Sequence, residues 1–574
     1  MRIVRRVCED DGGGFAGDVH PVLARIYRAR AVRSIDEVDH GLAHLHHFEA
    51  LGGIGRAVDV LEAALRAQQR ILVIGDYDAD GATACALALR GLRLLGFDTV
   101  HYLVPNRFEF GYGLTPEIVQ VAAEMDPHIL ITVDNGISSI AGAEAAAARG
   151  MRLIITDHHL PGTSLPRAAA IVNPNLPGDA FPSKALAGVG VMFYLLIALR
   201  ARLRQTGAVA GDAARLGRLL DLVALGTVAD VVPLDRNNRI LVAQGLRRIR
   251  TGAACPGIDA LLAVASRDPA MVTASDLAFF AAPRLNAAGR LEDISLGIEC
   301  LLCDDPARAR RMASELDRLN RERRVIESGM AEEAVMHLEK LQLGSGRDVP
   351  FGVVLYDEGW HPGVVGIVAS RIKERVHRPV IAFAPEDGAA LKGSARSVDG
   401  VHIRDAIEAV AARHPGLVTR FGGHAMAAGL SIERAALPRF RRAFDDEARR
   451  LLGAAPPDGV IYSDGPLQPG DIGLGLARLL RDAGPWGQGF PEPVFDGEFD
   501  VIERRIVGEK HLKLCLGLPA SPQRVEAIAF NTVDRHWPDG VRRVRIAYRL
   551  DVNRFRGVES AQLVVEHLEP LTDP

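Results

Sequence analysis

The chain has 574 residues, of which 48% are hydrophobic and 24% are charged. This length predicts three or four domains, and the composition is that of a globular protein rather than a disordered one. The formal net charge of −4 does not indicate a polyanionic partner, although acids at a metal site could mask a basic groove elsewhere. No apolar run is long enough to cross a membrane, and the opening MRIVRRVCEDD lacks the apolar core of a signal peptide, so we expect a cytoplasmic protein.

Residues 1–60 are predicted to form a helical lead-in, and residues 61–254 alternate between helix and strand. The strands are apolar throughout, which is typical of a parallel sheet covered by helices on both faces. Ligands collect beyond the carboxyl ends of the strands in such sheets. Acids and histidines follow three of these strands: Asp76, Asp78 and Asp80 after ILVIG, Asp134 after HILITV, and Asp157, His158 and His159 after MRLIIT.

The stretch DYDADG at residues 76–81 has a carboxylate at every second position. In an extended chain alternate side chains point the same way, so these anions would crowd together and repel one another unless a cation lay among them. A plain Asp-rich turn is the alternative. Asp230 ends the helix-like run LLDLVALGTVAD, and it could join the site or simply cap its helix.

Pooled, these side chains form a mixed carboxylate and imidazole set. Such a set suits Mn²⁺ or Mg²⁺ better than structural zinc. The number of ligands in this set exceeds what one ion needs and suits two ions about 4 Å apart. The sequence therefore predicts a centre with two divalent cations at this edge of the sheet.

The rest of the chain predicts three more parts. Residues 255–345 read as a helical connector with a long helix, and Arg284 and Asn286 of APRLNAAGRLED have a loop-like setting before it. Strands and helices alternate again over residues 346–453, as in a second α/β domain. The linker AAPPDG follows, and residues 459–574 alternate like the antiparallel strands of a small, separate β-barrel.

Four motifs in order, DYDADG, VDNG, DHH and TVADVVPL, resemble those of the DHH phosphoesterases. SARS at residues 394–397 and GGHAMAAG at residues 422–429 resemble the DHHA1 domain of the same family. The pieces PNRFEFGYGL, LAGVG, PRLNAAGR, EGWHPGVVGIVASRI and GPWGQGFPEPVF are similar to a branch of single-strand-specific exonucleases that has an OB-fold after DHHA1. The resemblance covers residues 45–574, and motifs this long and in this order are specific. It implies an α/β protein with a parallel-sheet DHH domain, a long helix, an α/β DHHA1 domain and a C-terminal OB-fold.

The resemblance also implies roles for individual residues. Asp134 would bridge the metals, His159 would face the scissile phosphate and Asp157 would orient the two histidines. The other implied metal ligands are Asp76, Asp78, Asp80, His158 and Asp230. The implied phosphate-binding residues of the DHHA1 motifs are Ser394, Arg396, Ser397, Gly422, Gly423 and His424.

Two arginines outside the metal motifs could hold non-scissile phosphates. Arg107 and Arg284 lie in predicted loops, with Asn286 beside the second. Contacts of this kind position a nucleic acid without reading its sequence. A plain surface cation is the alternative for each arginine, and the aromatic residues beside Arg107 could stack on bases or pack in the core.

The function is an expectation that follows from the resemblance. It implies an exonuclease of DNA repair and recombination that uses Mn²⁺ or Mg²⁺ and degrades single-stranded DNA from the 5′ end. The implied partners are single-stranded DNA, a single-strand-binding protein and a recombination helicase, with no membrane. One alternative is a phosphodiesterase for oligoribonucleotides or cyclic dinucleotides, which would lack the third domain. Others are a non-catalytic nucleic-acid scaffold, which would lose metal ligands, and an inorganic pyrophosphatase, which GGHAMAAG argues against.

Overall fold

The computed structural model describes most of the chain. The described residues are 1–7, 15, 19–104, 113–209, 215–341, 350–386, 388–423, 425–453, 459–508, 510–518, 521–530, 532 and 541–571, without the side chains of 337–341. The chain divides into two compact units. The larger unit contains Ile3–Asp317 and Ile461–Pro574, and the smaller unit contains Met1–Arg2 and Arg318–Val460. The predicted catalytic domain and the predicted barrel therefore belong to one compact unit.

The first 66 residues are only partly helical. The elements are β1 (Arg2–Arg5), α1 (Pro21–Arg28), three 3₁₀ turns at Ile35–Val38, Leu42–His44 and Phe48–Ala50, and α2 (Ile54–Arg66). Each 3₁₀ turn is followed by a residue with extended backbone, which stops the turn from growing into a helix. The predicted helical lead-in is therefore wrong between α1 and α2.

The centre of the larger unit is a sheet with helices between its strands. The elements are β2 (Ile71–Ile74), α3 (Ala79–Leu94), β3 (Val100–Leu103), α4 (Pro116–Ala123), β4 (Ile129–Val133), α5 (Ile140–Ala148), β5 (Arg152–Thr156), β6 (Ala170–Val172) and α6 (Gly188–Gln205). The strands pair in parallel in the order β3-β2-β4-β5-β6. Every residue of β2 and β4 is buried, as expected between two layers of helices. The predicted parallel sheet is confirmed, and the carboxyl ends of β2, β4 and β5 lie side by side.

A helical region follows the sheet. Its helices are α7 (Leu220–Ala229), α8 (Arg236–Arg250), α9 (Pro256–Val264), α10 (Ala274–Asp276), a π-turn (Leu277–Ala281), α11 (Ala282–Leu291), α12 (Ser295–Leu302) and α13 (Pro306–Leu341). The predicted long helix is confirmed, and the described residues before it are largely helical. The loop-like setting predicted for Arg284 and Asn286 is wrong, because both lie in α11, whose Pro283 occupies a first-turn position that suits proline. Among the described residues, no helix has the length and apolar character that a membrane span requires.

The smaller unit is a second α/β fold. Its elements after α13 are β7 (Val353–Tyr356), α14 (Val365–Val376), β8 (Val380–Pro385), β9 (Ala390–Arg396), α15 (Ile403–Arg413), β10 (Arg420–Gly423), β11 (Ala427–Glu433) and α16 (Leu437–Leu452). The sheet order is β10-β11-β9-β8-β7, with β7 and β8 parallel and the other pairs antiparallel. Phe383, Phe440 and Phe444 are fully buried in its core. The predicted second α/β domain is confirmed.

The C-terminal part of the larger unit is a barrel. The elements are β12 (Val460–Ser463), α17 (Leu474–Asp482), β13 (Phe495–Val507), β14 (His511–Gly517), β15 (Arg524–Ala529), β16 (Arg543–Phe555) and β17 (Val558–Leu571). The last five strands close in the order β13-β14-β15-β17-β16, with β15 and β17 parallel and the other neighbours antiparallel. A closed five-stranded barrel of this kind is an OB-fold, so the predicted barrel is confirmed.

The barrel is attached to the N-terminal segment, because Arg5 forms an ion pair with Asp496 of β13 and this segment also packs against the residues that precede β13. The Arg30 guanidinium pairs with the Asp464 carboxylate at 2.8 Å, and both side chains are almost completely buried. The ring of Tyr27 packs on Trp486 and Phe490, and its hydroxyl donates to a backbone carbonyl at the end of α17. The two ends of the chain therefore share one core within the larger unit.

Candidate metal centre

The predicted ligands come together at the carboxyl edge of the parallel sheet. Asp76 follows β2, and Asp134 follows β4. Asp78 is the N-cap of α3, where its Oδ1 accepts a hydrogen bond from Gly81 N at 3.0 Å. Asp80 lies in the first turn of α3. The extended-chain explanation is therefore wrong for Asp80, since the helix has already begun at that residue.

Three sets of possible ligand atoms each lie within 4.8 Å of one another. The sets are Asp76, Asp78 and Asp134; Asp80, His158 and Asp230; and Asp134, His158 and His159. Asp134 and His158 each belong to two sets, so the three sets form one continuous cluster. All six predicted metal ligands lie in it, although they come from separate parts of the chain.

Asp80 is held in place by the start of α6. Its Oδ2 accepts from Gly188 N at 2.6 Å and its Oδ1 accepts from Val189 N at 3.0 Å. The positive end of a helix dipole stabilises such a carboxylate. A Cβ on Gly188 would lie 2.5 Å from Asp134 Cβ, so glycine is required there. This role was not identified from the sequence, where LAGVG is noted only as part of the resemblance.

His158 faces two of the acids. Its Nε2 lies 3.1 Å from Asp134 Oδ1 and 3.5 Å from Asp230 Oδ2. Both His158 Nε2 and Asp230 Oδ2 are buried, and neither makes a hydrogen bond with a described residue. The backbone of Asp134 has a φ of +62°. Strained backbone conformations of this kind occur mainly at functional sites.

Three carboxyl groups of the centre have raised pKa values. Burial, and then the neighbouring carboxylates, raise the pKa of Asp134 well above its ordinary value. Burial and Asp230 raise the pKa of Asp80, while burial and Asp78 raise the pKa of Asp230. Burial lowers the pKa of His158, which favours the neutral imidazole that can coordinate a metal. Buried acids and a neutral histidine are the donors that hard divalent cations need, so the residues fit the predicted ions.

Asp157 organises the two histidines. Its Oδ1 lies 2.7 Å from His159 Nδ1 and accepts from His158 N at 2.7 Å, while its Oδ2 accepts from Ile137 N at 2.9 Å. Burial opposes the charge of Asp157, but the hydrogen bond with His159 and the nearby histidines outweigh it and lower its pKa. Burial also disfavours a charged His159, but Asp157 outweighs it and raises the pKa of His159. Asp157 therefore holds the imidazole ring of His159 in one orientation, in which Nε2 is its second N–H donor.

Two other predicted residues of the larger unit, Arg284 and Asn286, have protein partners. Arg284 is buried, and its Nη2 lies 2.8 Å from Asp317 Oδ1. Asn286 Oδ1 accepts from Ala79 N at 2.8 Å, so its amide supports the aspartate segment. Arg107 lies outside the described residues, as do the aromatic residues next to it.

In the smaller unit, two predicted residues, Ser394 and Arg396, lie in β9 with their side chains beside the start of α14. A Cβ on Gly366 would lie 2.8 Å from Arg396 Nη2 and 3.2 Å from Ser394 Oγ, so that glycine makes room for both side chains. Burial lowers the pKa of Arg396, which has no acidic partner among the described residues. Gly366 belongs to EGWHPGVVG, and its role was not identified from the sequence.

The remaining predicted residues of this unit have backbone roles or are not described. Ser397 Oγ donates to Val401 O at 2.6 Å. Gly422 and Gly423 lie in β10, and Gly423 has a φ of +144° that only glycine adopts easily. His424 lies outside the described residues.

Comparison with protein-family models gives three matches. Residues 70–227 match the DHH family, N-terminal domain, residues 350–450 match the DHHA1 domain, and residues 463–567 match the RecJ OB domain. The fold, the acidic cluster and these matches define a phosphoesterase of the DHH class.

Comparison with individual proteins narrows the assignment from the DHH class to one family. The chain is 55% identical to the single-stranded-DNA-specific exonuclease RecJ of Dickeya dadantii (strain 3937), over 96% of both chains. Its structure is similar to RecJ of Thermus thermophilus in complex with Mn²⁺, with a TM-score of 0.80 and 34% identity over 97% of this chain and 77% of that one. The complex of the same relative with Mg²⁺ gives a TM-score of 0.73 and 32% identity over 97% and 76%. The chain belongs to the RecJ family of exonucleases.

Proposed function

We propose that this chain removes nucleotides from the 5′ end of single-stranded DNA, with Mn²⁺ or Mg²⁺ bound in the acidic cluster. One observation carries the proposal. Asp134 and His158 link the three sets of ligand atoms into one cluster, which is the arrangement that two adjacent ions need. One ion would be held by Asp76, Asp78 and Asp134, and the other by Asp80, His158 and Asp230.

The protein's own groups then prepare the phosphate for hydrolysis. When bound, two divalent cations neutralise phosphate oxygens and lower the pKa of an attacking water. His159, whose pKa is raised by Asp157, carries a positive charge near neutral pH and offers Nε2 to a phosphate oxygen. A fixed donor of this kind stabilises the charge that develops in the transition state. Asp157 acts as a positioning residue, since its buried carboxylate contacts both histidines.

The smaller unit offers a place for a backbone phosphate of the strand. Arg396 and Ser394 lie beside the N-terminus of α14, where Gly366 lets the backbone approach closely. Helix N-termini and arginines without an acidic partner both favour phosphate. We propose that these groups and His424 hold the strand by its phosphates, without reading its sequence.

The barrel is proposed to add affinity for longer strands. Phe530 is 53% exposed, and an exposed aromatic ring can stack on bases. Ile502 and Ile506 are 46% and 59% exposed and add apolar surface but no stacking ring. Lys513 is paired with Glu526 and Arg543 with Glu498. These two cations therefore already have acidic partners, and we propose Phe530 as the stacking residue of the barrel.

The cellular setting is also part of the proposal. In the cytoplasm, an exonuclease for single strands would meet a recombination helicase, which supplies its substrate, and a single-strand-binding protein, which covers it. The complete ligand set argues against a non-catalytic scaffold. The closed barrel argues against a phosphodiesterase that is limited to oligoribonucleotides or cyclic dinucleotides.

The test uses single strands of DNA and RNA labelled at either end, with Mn²⁺ or with EDTA. The wild-type protein should release the 5′ label at once as a mononucleotide and shorten the 3′-labelled DNA progressively, and EDTA should stop both. Asp134→Ala should be inactive. Early release of the 3′ label would contradict the polarity, and faster loss of RNA would favour an oligoribonuclease. Strand binding by the wild-type protein without hydrolysis would favour a scaffold.

A further inference from the structure

The ligand loops are held by asparagine side chains that face the backbone and not the proposed ions. We infer that Asn286 and Asn175 are positioning residues of the metal centre, one for the aspartate segment after β2 and the other for the histidine pair after β5. This inference rests on the proposed ligand set, and it adds two residues that are not themselves ligands.

Asn286 fixes the aspartate segment from α11. Its Oδ1 accepts from Ala79 N at 2.8 Å, and Ala79 lies between Asp78 and Asp80. This amide is one of the first-turn donors that have no partner inside a helix. A Cβ on Gly289, one turn later in α11, would lie 1.9 Å from Tyr77 O. The close approach of α11 and the hydrogen bond therefore restrain the backbone on both sides of Asp78.

Asn175 fixes the histidine pair from the segment after β6. Its Nδ2 donates to His158 O at 2.6 Å and to Lys184 O at 3.2 Å. Asn173, which is fully buried, donates from Nδ2 to His159 O at 2.9 Å and accepts from Asn175 N at 2.8 Å. The carbonyls of both histidines are thus held from one short segment, while Asp157 holds their amides.

The direction of its hydrogen bonds explains why Asn175 is an amide, and the charge of the neighbouring acids explains why Asn286 is one. Asn175 must donate to carbonyl oxygens, which a carboxylate cannot do. Asn286 accepts, so a carboxylate could replace it, but it would add a further negative charge beside a cluster whose carboxyl pKa values are already raised. Groups that orient metal ligands without touching the metal change metal affinity by about 10- to 100-fold when they are lost.

The test separates positioning from ordinary stabilisation with five variants. Asn286→Ala and Asn175→Ala remove the hydrogen bonds, whereas Asn286→Asp keeps an acceptor and Asn175→Asp lacks a donor. The matched control is Asn237→Ala, because Asn237 is buried and accepts from Tyr194 Oη and His46 N, away from the ligand loops. For each protein, Mn²⁺ affinity is measured by calorimetric titration and the melting temperature is measured without metal.

We expect both alanine variants to bind Mn²⁺ about 10-fold more weakly or worse, and Asn237→Ala to keep the wild-type affinity. Asn286→Asp should restore affinity, and Asn175→Asp should not. Alanine variants that melt earlier, like the control, but bind Mn²⁺ as the wild type does would overturn the inference. So would equal behaviour of the two aspartate variants. Asp134→Ala keeps the ligand assignment testable on its own, because undiminished Mn²⁺ binding by that variant would contradict the proposed ligands whatever the asparagines do.

Discussion

Replacing Gly188 with alanine adds one methyl group at the most crowded point of the metal centre. The new Cβ would lie 2.5 Å from Asp134 Cβ, 2.6 Å from Asp134 Oδ1 and 2.8 Å from Asp134 Cα. Carbon atoms pack at about 3.5 Å or more, so Asp134 or the start of α6 must move by about 1 Å. Gly188 N also holds Asp80, so movement of α6 would shift a second proposed ligand.

A displacement of about 1 Å in a catalytic centre can lower the rate about 10²-fold, which corresponds to about 2.7 kcal/mol in the activation free energy. We therefore expect Gly188→Ala to lower kcat on a 5′-labelled strand by about that factor and to weaken Mn²⁺ binding.

The matched control for Gly188→Ala lies in the same helix. A Cβ on Gly190 would meet Leu186 Cδ2 at 3.1 Å, and the end of a leucine side chain can move aside. Gly190→Ala should therefore keep most of the activity. The reasoning would be refuted if Gly188→Ala kept wild-type kcat and Mn²⁺ affinity, or if both variants lost activity equally.

Three further predictions concern the histidines, the acids and the chain ends. His158→Ala should weaken Mn²⁺ affinity. His159→Ala should keep that affinity and lower kcat by about 10²-fold or more, as expected for loss of one transition-state donor. Equal loss of Mn²⁺ binding in both variants would contradict these separate roles of the two histidines. Burial raises the pKa of Asp80, Asp134 and Asp230 in the folded chain, so these acids destabilise the metal-free protein as pH rises above about 4. Calorimetric melting should therefore show a stabilisation by Mn²⁺ that increases with pH. A stabilisation that does not change with pH would contradict the role of these three carboxyl groups. Asp464→Ala removes the carboxylate that pairs with the buried Arg30 guanidinium. It should lower the free energy of unfolding, measured by chemical denaturation, by about 3–5 kcal/mol and leave Mn²⁺ affinity unchanged. A loss below about 1 kcal/mol would show that this ion pair is not needed for the shared core.

The sequence predicts the ligands better than the way in which they are held. DYDADG and the residues after β4 and β5 are recognisable because a parallel sheet brings the ends of its strands to one edge. The geometry at Asp80 could not be predicted from alternation, since the start of α3 depends on the cap at Asp78. The proposed cluster nonetheless forms, because α3 directs Asp80 towards the same edge.

Contacts between distant segments explain most of what the sequence does not reveal. Gly188 is 54 residues from Asp134, and Asn286 is 207 residues from Ala79, so no local pattern connects them. The association of the barrel with the N-terminal segment is equally non-local. It depends on Arg30, Tyr27 and their partners near residues 464–490. AAPPDG has the composition of a linker, and composition does not show that the segments on either side of it fold with different partners.

The chain's two proposed ions can be located directly by anomalous scattering from Mn²⁺ in crystals of the wild-type protein and of Asp134→Ala. The account predicts two peaks in the wild type, one among Asp76, Asp78 and Asp134 and the other among Asp80, His158 and Asp230. It predicts that Asp134→Ala loses at least the first peak. A single peak in the wild type, peaks away from these residues, or two peaks of full occupancy in Asp134→Ala would contradict the shared two-ion centre.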